Sequence, residues 1–310
     1  MTEMRVVALG VHVLDVLVRP VEAIPEGQGG AIVEEIRMTG AGTAGGTAIT
    51  LVKLGADVWS AGAIGNDPLG DALLGRLRAA GIEVSHLIRR DDVQTSASVL
   101  PIRPDGSRPA FHVIGANGTY VADDAPWDLI AAATHLHLGG PEFMGGADAA
   151  KILSFARGEG VVTSVDFLAP GEQLGELVDW VAPIFPFVDY LLPNDEQVLG
   201  LTGALSVDDG CRALVARGIG CVAATVGADG AVVATADGVE HVPAFTVDVV
   251  DTTGCGDAFS AGFLRGLSLG RPPGEAAALG CAAAGLVAQG LGTDYGDFNL
   301  AAAEDLIANA

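Results

Sequence analysis

Apolar positions in this chain recur with two periods, and the switch between them repeats along most of its length. Short apolar runs of strand character occupy residues 6–9, 57–63, 135–138, 161–166, 188–192 and 221–226. Between them, apolar residues at helical spacing predict helices over 43–54, 68–80, 147–157 and 207–217. Strands that alternate with helices form a mostly parallel sheet, because each crossover helix has to lie over one of its faces. The fold class is therefore α/β, with a mostly parallel central sheet covered on both sides.

Two regions break the alternation. Residues 11–18 and 31–38 are successive strand-like stretches across a Pro- and Gly-rich turn at 25–30, and 95–102 and 109–114 flank the turn Pro104-Asp105-Gly106. Together they predict a small second β-sheet from about 11–40 and 95–116; an extension of the main sheet is the alternative. Further on, Val247, Val249 and Val250 alternate as a strand would. Two long helices follow over 256–269 and 274–289, with Arg271-Pro272-Pro273 as stop and restart. No linker, low-complexity tract or internal repeat divides residues 1–310, which predicts a single domain.

Composition narrows the function classes. Half of the 310 residues are hydrophobic and only 5% aromatic, so the core is built mainly from Ala, Val and Leu. A formal net charge of −23 argues against nucleic acid and against an anionic membrane as partner. Cys211, Cys221, Cys255 and Cys281 are scattered without a CxxC pair, which suits a reducing compartment and gives no zinc spacing. His12, His112, His135, His137 and His241 are equally dispersed; His135 and His137 share a strand face, for which core packing or solvent is explanation enough. Met1-Thr2-Glu3-Met4-Arg5 leads into the first strand with no apolar signal core, and no apolar run approaches the roughly 18 residues of a membrane span. The expected location is cytoplasmic.

The densest chemistry lies in Asp251-Thr252-Thr253-Gly254-Cys255-Gly256-Asp257-Ala258-Phe259, where Phe259, Phe263, Leu264 and Leu267 begin a helical period. The first amides of a helix have no intrahelical partner and sit at the positive end of its dipole. Gly254 and Gly256 allow a phosphate to approach the backbone closely. A carboxylate at Asp257 would repel a polyphosphate, and makes sense beside it as the acceptor of a proton from an attacking hydroxyl. A plain glycine-rich helix start with Asp in its first turn is the alternative.

This segment resembles the C-terminal signature of the ribokinase-like (PfkB) family of carbohydrate and nucleoside kinases, and the similarity extends over nearly the whole chain. The resemblance implies a three-layer ribokinase-like fold whose small β-sheet is a lid over the sugar site and often a dimer interface. It implies Asp257 as catalytic base and Gly254, Cys255 and Gly256 as anion hole. Asp251 and Thr253 resemble the family's monovalent-cation loop, usually occupied by K⁺.

Other segments fit less closely. Gly40-Ala41-Gly42-Thr43-Ala44-Gly45 matches G-x-G-x-x-G, but a dinucleotide fingerprint belongs after the first strand, which here already ends at Gly10. Counted back from Leu54-Gly55, the segment instead resembles the family's N-terminal signature. Gly42 and Thr43 then fall at substrate-contacting positions, and Gly46 stands where the sugar-contacting Asn is usual. A roomier pocket is expected there. Asp15 falls where the family places a carboxylate on sugar hydroxyls, a task its two acceptor oxygens suit; an exposed polar lid residue is the alternative. Asn117 falls where relatives close the sugar site, although Asn-Gly is also a common turn.

Asn194 with Gln197 resembles the family's Asn-x-x-Glu motif, which helps position phosphate and hydrated Mg²⁺. The change from Glu to Gln keeps hydrogen bonding but removes a charge, which implies metal handling that is weaker or shared with Asp195 or Glu196; a helix N-cap at Asn194 fits as well. Thr225, Gly227 and Gly230 resemble the nucleotide-contacting strand-to-turn element, though a plain turn would need the glycines too.

Taken together, the resemblance implies an ATP-dependent kinase for a hydroxyl of a small sugar or sugar-like substrate, using ATP, Mg²⁺ and K⁺, and a homodimer through the lid. A nucleoside kinase is the alternative within the family. A catalytically silent nucleotide or sugar sensor is the alternative outside it. The net charge repels ATP, so its attraction has to be local, from helix N-termini and from Mg²⁺.

Overall fold

The computed structural model describes residues 3–104 and 106–309. Asp105 of the predicted turn, and Met1 and Thr2, lie outside the described residues. The main sheet runs β13 (Gly238–Val242), β12 (Ala231–Thr235), β11 (Cys221–Thr225), β10 (Tyr190–Leu191), β9 (Val162–Asp166), β8 (His135–Gly139), β1 (Arg5–Gly10), β4 (Asp57–Gly65), β5 (Glu83–Arg90). From β5 to β11 every pairing is parallel, and β12 and β13 add an antiparallel hairpin at one edge.

Strand period explains the layers. Val6 and Ala8 of β1 enter one core with α1 (Thr43–Lys53), α2 (Pro68–Ala79), α9 (Cys255–Ser268), α10 (Pro273–Ala288) and α11 (Leu300–Ala308). Val7 and Leu9 enter the other. That second core holds α3 (Trp127–Ala132), α4 (Gly146–Gly158), α5 (Gly171–Glu176), α6 (Val178–Val181), α7 (Asp195–Thr202) and α8 (Val207–Ala216). Strands buried on both faces need apolar residues at every position, which is why they read as continuous runs.

The chain leaves β1 toward β4 and β5, then crosses back to β8 and onward. The switch point therefore lies between β1 and β8, where a crevice opens at the carboxyl ends of the strands. Gly10 and Gly139 end these strands, and a Cβ on Gly10 would lie 2.0 Å from the Gly139 carbonyl oxygen.

β3 (Glu35–Ala41), β2 (Val13–Arg19), β6 (Ala97–Pro101) and β7 (Phe111–Val113) form a separate four-stranded sheet in that order. They do not extend the main sheet. One face packs Leu17, Leu100 and Ile102 on Leu291. The other carries Met38, Val16, Val99 and Phe111 in cross-strand register, with Phe111 60% exposed and neighbouring Ile36 66%.

Some elements differ from the periodicity reading. Val247, Val249 and Val250 alternate but form no strand: the segment follows the last edge strand and instead hydrogen-bonds α10, Val250 N to Ala288 O at 2.8 Å. β5, β12, β13 and α11 were not anticipated. β5 is a polar edge strand and β13 is largely exposed, so neither carries a strong apolar period, whereas β12 is a short apolar run, Ala231-Val232-Val233-Ala234-Thr235, whose signal is present in the sequence. Among the described residues no helix is long and apolar enough to cross a membrane.

Candidate active site

Gly254 is the N-cap of α9 in the left-handed conformation, φ 79°, and a Cβ there would meet Thr293 Cα at 2.7 Å. Glycine is therefore required both for the turn and for the contact. Asp257 follows at the third helical position. The amides of Gly254, Gly256 and Asp257 make no hydrogen bond among the described residues, whereas Cys255 N turns back to Thr252 O at 3.3 Å. Of the three expected anion-hole amides, those of Gly254 and Gly256 are thus available and that of Cys255 is occupied. The Cys255 thiol points to Ala284 O, 3.6 Å away, and burial raises its pKa to about 12.

These residues open onto a cavity of about 300 Å³, lined also by Asp15, Gly42, Thr43, Asp166, Asn194 and Thr225. Burial pushes the Asp257 pKa up to about 8, nearby Asp15 adds to the rise, and Arg108 opposes it. Asp15, on β2, is raised to about 6, mainly by burial and against hydrogen bonding from Ser98. Thr43 Oγ1 and Thr293 Oγ1, both on the cavity wall, are buried without a hydrogen-bond partner. Thr43 Oγ1 is turned toward Gly139, 2.6 Å from where a Cβ on that glycine would lie.

Asp166 and Arg108 on the wall, and Glu142 behind Asp166, escaped the sequence. Asp166 ends β9, buried, with the Ser260 hydroxyl 3.4 Å away and the Phe167 amide also donating to it; burial, then Asp257 and Glu142, raise its pKa far above the usual carboxylate range. Glu142 accepts from Leu168 N and Ala169 N with one oxygen and leaves the other unpaired. Arg108 reaches from the small sheet to Thr252, Nε donating to Oγ1 at 3.4 Å. Each stands alone in the sequence; the available signal was a charge ending a buried apolar strand, as at Asp166.

Other expectations are corrected. Asn117 does not line the cavity: its amide is consumed by His12, accepting from His12 N at 3.2 Å and donating to His12 O at 3.1 Å. Gly46 brings no room, because the space a Cβ would take is filled by Asp257 Oδ2 at 2.2 Å and Thr293 Cγ2 at 2.8 Å. Gln197 is not a weakened metal ligand. Its Nε2 donates to Phe167 O and Ala169 O at 2.9 and 3.0 Å, and its Oε1 accepts from Asn194 N at 2.9 Å. With Asn194 Oδ1 capping Gln197 N at 2.8 Å, the pair forms a capping box at the start of α7.

Thr225 pairs with Asn194 in a parallel bridge on the cavity wall. Gly227 lies in the turn beyond with open space around its Cα, while Gly230 is outside the cavity, pressed on the Val242 carbonyl. Asp251 is buried; Oδ1 accepts from Thr253 N and Oγ1 at 3.0 and 2.8 Å, and Oδ2 from Gly292 N at 2.9 Å. His135 and His137 are both core residues, with His137 bonded to Ser164 and to the Thr43 carbonyl.

Open helix amides and a carboxylate thus share one cavity at the switch point of a parallel sheet. The family model described as pfkB family carbohydrate kinase matches residues 5–298, and the chain belongs to that family, as an ATP-dependent kinase rather than a silent sensor. It is 31% identical over 268 residues to the ATP-dependent ribose-1-phosphate kinase of Halopiger xanaduensis, covering 84% of this chain and 83% of that one. It is 27% identical over 261 residues to a nucleoside kinase of Methanothermobacter thermautotrophicus, covering 83% and 81%. Its fold matches an Escherichia coli ribokinase II candidate solved with ATP and Mg²⁺, with a TM-score of 0.84 at 21% identity over 99% of this chain and 100% of the other.

Proposed function

We propose that the protein transfers the γ-phosphoryl group of ATP to a hydroxyl of a small sugar, with Asp257 as the general base. The carrying observation is that Asp257 and the open amides of Gly254 and Gly256 share one cavity with Asp15 and Thr43. Asp15 and Thr43 hold the acceptor's hydroxyls. The attacking oxygen loses its proton to Asp257 as its bond to phosphorus forms and the bond to ADP breaks. The free amides meet the charge on the transferred group. Gly42 keeps the backbone close to the acceptor, and Asn194 and Thr225 lie on the nucleotide side, with Gly227 beyond them.

Mg²⁺ bound with ATP would neutralise charge on the phosphates, and Asp166, a buried carboxylate without a cationic partner among the described residues, would suit a hydrated ion. Asp251, equally without a cationic partner among the described residues, suits a monovalent cation with Thr253, so K⁺ is expected to raise activity over a sodium-only buffer. The two sheets work as one domain with the small sheet as lid. Its exposed row of Met38, Val16, Val99 and Phe111 fits a second copy of the chain, giving a homodimer. A nucleoside acceptor is the second reading, favoured by the similarity to the nucleoside kinase.

An ATP-turnover screen of sugars and nucleosides, run with wild type and Asp257→Asn, tests the proposal. Turnover by wild type and its loss in the variant are expected. Equal turnover by both would remove Asp257 as the base.

A further inference from the structure

A second cavity of about 500 Å³ adjoins the first, with Thr252 on the wall of both. Arg19, from the end of β2, and Arg103, from the turn after β6, line it. Arg108 stands at the junction, on the wall of the first cavity and bonded to Thr252. None of the ion pairs among the described residues includes any of the three. In a chain with 39 Asp and Glu against 16 Lys and Arg, Arg19 and Arg103 without an ion pair among the described residues, beside an Arg108 whose acidic neighbours Asp15 and Asp257 lie in the first cavity, require an explanation.

We propose that this arginine rim binds a phosphate carried by the acceptor, so that the enzyme phosphorylates a sugar monophosphate in preference to a neutral sugar. The inference rests on the kinase function proposed above. Strand period puts Asp15, Leu17 and Arg19 on one face of β2, with Asp15 on the wall of the first cavity and Arg19 on that of the second. Four residues of strand span about 13 Å. A sugar ring, a phosphate and an arginine side chain together bridge that distance. A guanidinium presents a planar fork of donors that matches phosphate oxygens, which a lone ammonium does not.

Among the described residues the acidic neighbours do not cancel the rim. Asp251 also lines the second cavity, but its carboxylate is turned inward onto Thr253 and Gly292. Glu35 stands opposite Arg19 in the β2–β3 register and makes no ion pair with it. Asp15 and Asp257 face the reacting end of the acceptor, away from its phosphate.

The test compares kcat/KM for ribose 1-phosphate, ribose 5-phosphate, fructose 1-phosphate and fructose 6-phosphate with that for ribose, fructose and gluconate. It uses wild type and the double variant Arg19→Gln/Arg103→Gln, whose folding is checked by circular dichroism. Hydrogen bonds to a charged group set the expected preference of wild type for one sugar phosphate at about 10- to 100-fold, collapsing in the double variant. A neutral sugar used as well as any phosphate, or a preference retained in the variant, overturns the inference and leaves the kinase function standing. A preference for gluconate overturns the choice of phosphate. If wild type turns over no acceptor, calorimetric titration of wild type with the same sugar phosphates, and with inorganic phosphate, decides. Binding of a sugar phosphate tighter than of free phosphate supports the rim and sinks the kinase function; absence of binding sinks both.

Discussion

Gly46 and Asp257 occupy one another's space. The site of a Cβ on Gly46 is 2.2 Å from Asp257 Oδ2, so the backbone of α1 serves as the floor under the carboxylate of α9. The absence of a side chain at Gly46, which in the sequence suggests a widened sugar pocket, instead lets the two helices meet at the reacting carboxylate.

Gly46→Ala is therefore expected to displace Asp257 while leaving the fold intact, since helix α1 gains a better helix former. Misplacing a catalytic group by about 1 Å can cost about 100-fold. The expected result is a fall of that order in kcat with little change in thermal midpoint. An alanine variant with wild-type kcat would show that Asp257 does not need this position.

Gln197→Glu tests the second departure from the family pattern. Gln197 is 4% exposed and donates to two carbonyls, Phe167 O and Ala169 O. A carboxylate cannot donate to either, and leaving buried acceptors unmet costs about 1–3 kcal/mol each. Lower stability near neutral pH is expected, partly restored at acid pH where the new carboxyl is protonated and can donate once. Chemical denaturation at pH 5 and pH 7.5 measures both, and unchanged stability at pH 7.5 would refute the clamp.

The fold was largely legible because it is written in repeated local patterns. The parallel strands announce themselves as apolar runs, and the nonapeptide at Asp251–Phe259 carries its turn, its free amides and its carboxylate within one helix start. What stayed hidden depends on contacts between distant segments. Asn117 reads as a site residue until His12 is seen to use both ends of its amide across 105 positions. Asp166, Glu142 and Arg108 are single charges in unrelated segments, and only the crevice at the switch point gathers them. Val247, Val249 and Val250 show the converse: a strand period in a segment that bonds to the end of α10 rather than to a neighbouring strand makes no strand.

Asp257→Asn should abolish turnover. The amide is nearly isosteric but accepts no proton, and losing a general base costs about 10²- to 10⁴-fold. In wild type the base works only when ionised, and its pKa is held up to about 8. At saturating MgATP, kcat/KM for the acceptor is therefore expected to fall as pH drops below about 8. A flat profile between pH 6 and 9 would exclude this carboxylate as the base.

The same raised pKa values make the site a source of instability. An unfolded aspartate titrates near 3.9, whereas Asp15 titrates at about 6 and Asp257 at about 8 in the native chain. Between these values the folded state holds more protons than the unfolded one, so stability falls as pH rises. The contribution is fully present below the unfolded pKa and is lost through the folded one. Asn at either position removes the ionisation, and at Asp257 it also relieves Asp166, which that charge raises further. Asp257→Asn is thus expected to be about as stable as wild type near pH 4 and increasingly more stable toward pH 8, while the gain from Asp15→Asn levels off nearer pH 6. Thermal midpoints of both variants and wild type across pH 4–9 measure this. A gain that is constant with pH would mean that the carboxylates carry no burial penalty, and with it would go the physical basis for a base tuned toward neutrality.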